Sequence, residues 1–250
     1  MSDISEGFSV RSLAETYRDG GHIGRHHHPW GQLAYATKGV MRVVTPSVAW
    51  LSPPTRAIWL PPRLTHEIWM QGETALRTLY IAPGPAAALP LAAVVLEVAP
   101  LLRELILHIL TLGMLARGRP EHDRLCGLLV DLLVQARPQD LALPLPRDRR
   151  ALVLAERLRA APEAHTELGA LAREAGASLR TFQRLFPRET GLTVEAWRQK
   201  ARLIHAIAAL SGDASVTNAA LDCGYDSQSA FITAFRRQFG VTPGRYPSAR

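Results

Sequence analysis

The sequence has little cysteine and no long apolar run, and each shortage narrows its class. No stretch of the 250 residues approaches the ~18 consecutive apolar residues of a membrane span, so no membrane association is expected. The first residues, Met-Ser-Asp-Ile-Ser-Glu-Gly-Phe, lack a basic segment followed by an apolar one. No secretory signal is therefore expected, and the protein is expected to be cytoplasmic. The two cysteines, Cys126 and Cys223, lie far apart on apparently helical apolar faces. That pattern suits buried thiols in a reducing compartment rather than a disulfide framework or a redox sensor.

What the sequence does have is positive charge, unevenly placed. The net charge is +7, and residues 147–250 carry 16 Lys/Arg against 10 Asp/Glu, whereas residues 1–146 carry 13 against 12. The excess, almost all of it arginine, sits on the last hundred residues, as phosphate binding requires. The length allows two domains of ordinary size.

Val216 to Tyr246 gives this basic half its form. The pattern predicts a short helix, a Gly-containing tight turn, and a second helix that opens at Asp226 or Ser227 and closes at Gly240, with Pro243 just beyond. Ala230, Phe231, Ala234, Phe235 and Phe239 share one face at i, i+3/i+4 spacing and are expected in a core. The opposite face carries Gln228, Ser229, Thr233, Arg236 and Arg237. A helix-turn-helix needs this division: an apolar back sets the angle to the partner helix, and a polar front reaches bases and phosphates.

The same unit occurs earlier, from Thr166 to Gly191. Ala172 and Gly176 match Ala220 and Gly224 at an offset of 48, and Phe182, Phe186 and Gly191 match Phe231, Phe235 and Gly240 at an offset of 49. Two aligned copies imply one repeated supersecondary unit. Between them, Val194 to Leu210 reads as a continuous helix with Val194, Trp197, Ala201, Ile204 and Ala208 along one stripe. Two readers on such a spacer would address major-groove segments about one helical turn (~34 Å) apart. In the first unit Arg180, Gln183 and Arg184 face away from Phe182, Leu185 and Phe186. Arginine can pair with guanine O6 and N7, and glutamine with adenine N6 and N7. Arg236 and Arg237 suit phosphate contacts.

Gly-x-Ser-x-Arg-x-Phe-x-Arg-x-Phe (176–186) and Gly-Tyr-x-Ser-x-Ser-x-Phe-x-x-x-Phe-Arg-Arg-x-Phe-Gly-x-Thr-Pro (224–243) resemble the AraC/XylS family of bacterial transcription regulators. The resemblance covers about the last hundred residues. It implies that residues 180, 183 and 184 are base-reading positions. Thr233 is short where relatives often carry a long basic side chain, so fewer direct base contacts are expected from the second unit.

Residues 8 to about 83 read as β structure: Gln32–Thr37, Val40–Thr45, Ala57–Leu60, Glu67–Met70 and Leu76–Ile81 are short apolar runs punctuated by Gly and Pro. Such runs argue for a sandwich or barrel. Gly20-x5-His26-x-His28-x3-Gln32-x6-Gly39, followed by Pro61-x-Arg63-x-x-His66, resembles the two cupin motifs, with Gln32 where that family usually has Glu and Arg63 where it often has Gly. In an extended strand His26 and His28 face the same side, and a neighbouring strand carrying His66 could complete a three-imidazole pocket. Imidazoles with a carboxamide suit a divalent transition metal. A metal-free effector pocket and incidental surface histidines are the alternatives. Trp30, Tyr35, Trp50, Trp59 and Trp69 lie in the same half. They fit a core, and Tyr35 and Trp59 are candidates for the pocket wall.

Two leucine-rich helical patterns follow, Leu101–Leu115 and Arg124–Gln135, joined by a loop from Gly118 to Asp123. They could cap their own domain or pair with a second subunit, and the second is the expectation. The Pro-rich stretch that follows shows no helical period and reads as a linker. The expected architecture is α+β: a cupin-like effector-sensing and dimerisation domain (1–137), a linker (138–146) and a DNA-binding domain (147–250) with helix-turn-helix units at 166–191 and 216–240. The expected function is a ligand-responsive regulator that binds double-stranded operator DNA as a homodimer, takes a small-molecule or metal effector, and contacts RNA polymerase if it activates. His-x-His-Pro-Trp-Gly-Gln-Leu-x-Tyr (26–35) is similar to a subgroup whose members often control transporter or resistance genes. A metal-dependent cupin enzyme tethered to DNA is the alternative from another class. It would need an acid or base beside the metal, for which only Glu67 and Tyr35 are near in sequence. An architectural DNA binder without an effector would not need the β half.

Overall fold

Short alternating apolar runs build the first half of the chain, and helical repeats build the second. The structure is a computed structural model and describes residues 7–161, 167–211 and 214–246. Thr166, the expected start of the first helix-turn-helix unit, lies outside the described residues, as do the first six and last four residues of the expected domains. The chain divides into two units, one holding the residues up to Val43 and Trp50–Leu141, the other Val44–Ala49 with the chain from Ala142 onward.

The first unit runs β1 (Phe8–Tyr17), β2 (His22–His26), β3 (Gly31–Val44), β4 (Val48–Ser52), β5 (Arg56–Leu60), β6 (His66–Ile81), α1 (Pro83–Ala86), β7 (Val94–Glu97), α2 (Pro100–Leu112), β8 (Met114–Ala116), α3 (Pro120–Gln135) and β9 (Pro138–Gln139). Strand order is β8-β1-β6-β3-β5-β7-β9, with β2 also on β6. The runs expected as separate strands on either side of Gly39 form one strand, β3, and those at 67–70 and 76–81 form one strand, β6. Glycine bends these strands without breaking them. Gly39 sits at φ +74, and a Cβ there would lie 2.5 Å from Glu73 O, so the strand crosses its neighbour at a point only glycine fits. A long bent strand can also serve two partners: β6 pairs with β2 through His66–Trp69 and with β1 through Thr74–Ile81.

One face of the sheet is covered by α2 and α3. Leu102, Leu105, Ile106 and Ile109 of α2 and Cys126, Leu129 and Leu133 of α3 pack with Leu33, Tyr35, Trp59 and Leu79 in one cluster. Each buried leucine or isoleucine contributes about 2 kcal/mol. The helical pair thus caps its own domain, while Leu128 and Val134 on the other side of α3 stay exposed. Helix α3 starts earlier than expected because Pro120 occupies its first turn, where a missing N–H costs nothing. Both cysteines are buried, and burial pushes the Cys126 thiol up, the reverse of an activated sulfur.

The second unit holds β10 (Ala142–Pro144), α4 (Arg149–Ala160), α5 (Leu168–Glu174), α6 (Leu179–Thr190), α7 (Val194–Ser211), α8 (Val216–Asp222), α9 (Gln228–Phe239) and a 3-10 turn at Pro243–Arg245. The segment 138–146, expected as a linker without helical period, carries the short strands β9 and β10, and Leu141, Leu143 and Leu145 are buried. The repeat is reproduced down to its caps. Ser178 accepts from Thr181 N–H at the start of α6, and Ser227 from Ala230 N–H at the start of α9. Gly176 and Gly224 make the turns at φ +86 and +70, a backbone conformation that costs an L residue about 1–2 kcal/mol. Phe182, Phe186, Phe231 and Phe235 are fully buried. Ala230 departs from expectation and is exposed. At 100° per residue it falls about a quarter-turn from the centre of the Phe231–Ala234–Phe235 stripe.

Candidate functional site

In the first unit, β2 and the turn after it meet β6 and β3 at a cluster of imidazoles. His26 and His66 are register partners across β2 and β6, and the ligand atoms of His26, His28 and His66 all lie within 4.8 Å of one another. The elements that aim them are local. His26 Nδ1 lies 2.8 Å from Gly24 O, His28 Nδ1 2.7 Å from Trp30 O, and His66 Nδ1 2.8 Å from Leu64 O. A carbonyl can only accept, so each Nδ1 carries the proton and each Nε2 of a neutral ring presents a lone pair. A carbonyl on Nδ1 in this way orients metal-bound histidines in other proteins. Burial pushes His66 down to about 4, so that ring stays neutral at neutral pH.

Gln32 Oε1 lies 3.0 Å from Nε2 of both His28 and His66. An oxygen facing two lone pairs is repulsive unless a cation shares the space. Without one, the amide must turn its NH2 end toward the rings and give one N–H to each. Both arrangements are chemically complete, and both use Gln32 as the fourth member of the site. Tyr80 stands edge-on to His28, with ring centroids 5.2 Å apart, and His27 is exposed.

Tyr35 and Trp59, expected in the pocket wall, are on the other face of the sheet. Side chains alternate along β3, so Leu33 and Tyr35 point away from Gln32, and Trp59 pairs with Leu33 in register. Both rings belong to the cluster under α2 and α3, and Trp59 Nε1 donates to Pro90 O at 2.8 Å. Tyr80 carries no signal as long as 67–70 and 76–81 count as separate strands. As one strand, β6 has its even-numbered residues on one face, which puts Tyr80 on the side of His66. Glu67 faces away and lies 3.5 Å from His22. Neither group named for the enzyme alternative stands beside the imidazoles.

Arg63 sits in the turn that delivers His66 and has φ +64, the one positive-φ non-glycine among the described residues. Its N–H donates to His28 O at 2.8 Å, so the left-handed turn clamps the two histidine segments together. Arg63→Gly is expected to stabilise the protein by about 0.5–1 kcal/mol, the relief of strain less the added chain entropy. A thermal-unfolding midpoint that falls instead would mean that the side chain makes an interaction worth more than the strain.

The second unit presents two polar faces. Arg180, Gln183 and Arg184 on α6 are exposed, opposite buried Phe182, Leu185 and Phe186, and Gln228, Ser229, Thr233, Arg236 and Arg237 on α9 are exposed likewise. Arg237 is not loose: its guanidinium donates to Gln199 Oε1 of α7 at 3.1 Å. Thr233 Oγ1 donates to Ser229 O at 2.9 Å. Glu189, at the end of α6, accepts from the N–H groups of Arg147 and Asp148 at 2.8 and 2.9 Å. Those bonds, led by the Asp148 N–H, hold its carboxyl below the usual range. They tie the reading helix to the start of the domain. The roles of Gln199 and of Ala230 had no signal in the sequence, because one depends on how α7 crosses α9 and the other on the rotation of α9 about its axis.

Comparison with known proteins gives matches over both halves of the chain. A model described as AraC-like ligand binding domain matches residues 9–155, and one described as helix-turn-helix domain matches residues 171–249. The HTH-type transcriptional regulator NimR of Escherichia coli K12 is 36% identical over 224 residues, 88% of this chain and 81% of NimR. Among solved structures, fatty-acid-bound ToxT from Vibrio cholerae covers 95% of this chain and 94% of its own, at 11% identity and a TM-score of 0.39. The DNA-binding domain of AdpA in complex with a target DNA covers 40% of this chain and 89% of its own, at 36% identity and a TM-score of 0.36.

Proposed function

Because this chain belongs to the AraC family of transcription regulators, with a ligand-binding domain followed by a helix-turn-helix DNA-binding domain, we propose that its signal is received at the site formed by His26, His28, His66 and Gln32. One observation carries this reading: one ring nitrogen from each of His26, His28 and His66 lies within 4.8 Å of the others, while every Nδ1 is held by a backbone carbonyl. A divalent first-row metal fits that donor set, with the Gln32 carbonyl completing four ligands. When bound, the ion would fix the rings against one another or offer an open position to an organic effector. The effector must favour one arrangement of the protein over another, since a ligand that binds two states equally shifts neither.

The output is carried by Arg180, Gln183 and Arg184 on α6 and by Gln228, Ser229, Thr233, Arg236 and Arg237 on α9, which read operator DNA. The protein acts in the cytoplasm as a homodimer. The exposed Leu128 and Val134 of α3 supply an apolar surface for the partner. Contact with RNA polymerase follows if it activates, and transporter or resistance genes are the class of target that the subgroup resemblance suggests.

The test is elemental analysis of the purified protein, together with selection of bound duplexes from a random library, with and without a chelator. Near-stoichiometric metal, with selection altered by chelation, supports metal reception. Absence of metal and indifference to chelator would leave an organic effector in the same pocket, to be sought by thermal shift. Arg184→Ala is expected to weaken binding to the selected duplex by about 1–3 kcal/mol and to relax discrimination at one base pair. Equal weakening on every sequence would make Arg184 a phosphate contact.

A further inference from the structure

The two reading helices offer different chemistry. On α6 the exposed groups are long hydrogen-bond donors, Arg180, Gln183 and Arg184. On α9 the hydroxyls over one stretch are engaged with their own helix. Thr233 Oγ1 donates to Ser229 O at 2.9 Å, and the hydroxyls of Ser227 and Ser229 lie 3.2 Å apart. Arg237, one turn on from Thr233, is drawn back to Gln199 at 3.1 Å. Beside them two small residues that carry a methyl group, Ala230 and Thr233, are exposed. These two residues are three apart and share a face. They line an open groove of about 490 Å³, together with Arg237, Gln199 and Tyr225, so a base edge can approach the helix closely there.

The thymine C5-methyl is the apolar group on the major-groove edge, and alanine and threonine methyls are the side-chain groups that pack against it. We propose that the second helix-turn-helix unit reads thymine methyls through Ala230 and Thr233, while the first reads by hydrogen bonds. The assignment rests on the DNA-reading role proposed above for these two faces and adds the base class that the second one selects. Gln228, exposed in the first turn of α9, can pair with the adenine of a neighbouring A·T pair, so the second half-site is A·T in character. An operator read this way combines a hydrogen-bonded half-site and a methyl-read half-site about one helical turn apart.

The test uses the full chain and a duplex it selects from a random library. Each thymine of that duplex is replaced in turn by deoxyuridine, which removes only the methyl. About one helical turn from the base pair whose discrimination Arg184→Ala relaxes, one or two replacements are expected to weaken binding about fourfold each, the value of one buried methyl. Thr233→Ser keeps the hydroxyl and its bond to Ser229 but loses the methyl. It should bind the thymine duplex about as the wild type binds the deoxyuridine duplex, and should no longer distinguish the two. Thr233→Val should keep the distinction. Uniform tolerance of deoxyuridine by the wild type would overturn the proposal. So would an undiminished thymine preference in both Thr233→Ser and Ala230→Gly. If no sequence is selected at all, the DNA-reading role itself fails, and this assignment with it.

Discussion

Trp197→Ala is expected to destabilise the helical unit by about 4 kcal/mol and to abolish operator binding. Trp197 is fully buried on α7, and its ring packs edge-on against Phe186 of the first reading helix at 5.8 Å. Its Nε1 donates to Pro144 O at 2.6 Å. Truncation therefore leaves a cavity and an unpaired carbonyl at once, and the two costs add. The functional loss follows from position. Helix α7 stands between the two helix-turn-helix units, and Phe186 lies two residues from Arg184 on the opposite, buried face of α6, so loosening that packing loosens the aim of the first reader. Trp197→Phe separates the contributions: the ring contact is kept, the hydrogen bond is lost, and a cost of about 1–3 kcal/mol is expected. Chemical unfolding followed by circular dichroism, with binding to the selected duplex measured alongside, checks both variants. A Trp197→Ala protein of near wild-type stability and affinity would refute this account of the spacer helix.

The second large effect concerns the imidazole site. His66→Ala is expected to remove bound metal altogether, because two imidazoles and an amide are a poor set for a divalent ion that prefers four ligands. The variant should stay folded, since β6 keeps its ladder to β1 over Val10–Tyr17. Gln32→Glu is expected to act in the opposite direction. It places a carboxylate where the neutral amide touches His28 and His66, supplying the anionic ligand the natural site lacks, and metal should then bind at least about tenfold more tightly. Titration with a competing chelator reads both changes. If the wild type binds metal and His66→Ala retains it at equal affinity, the ion sits elsewhere. If Gln32→Glu fails to tighten binding, Gln32 is not a ligand.

Several features were legible in the sequence because they are local and repeated. The reading helices, the turn glycines Gly176 and Gly224 and the buried phenylalanines all follow from 3.6-residue periodicity and from the few residues that tolerate a positive φ, and the pattern narrowed the start of α9 to Asp226 or Ser227. The second copy converts a weak signal into a specific one. The imidazole triad was also legible, as spacing on adjoining strands, and the left-handed turn at Arg63 explains why glycine often stands there in the resembled motif.

Composition, period and repetition alone divide the chain into a β-rich ligand-binding half and a twice-repeated helix-turn-helix half, and set the residue types each half presents. Packing in three dimensions sets which side chains meet. It put Tyr35 and Trp59 on the far face of the sheet from His28, brought Tyr80 to the imidazoles, turned Ala230 outward and tied Arg237 to Gln199. The physical reason is that composition and period specify an element and its two faces, whereas strand continuity through a glycine and the rotation of a helix about its axis are set by packing against distant residues. A change of one residue in a strand, or about 100° around a helix, reverses what a side chain touches without altering the pattern that predicts the element.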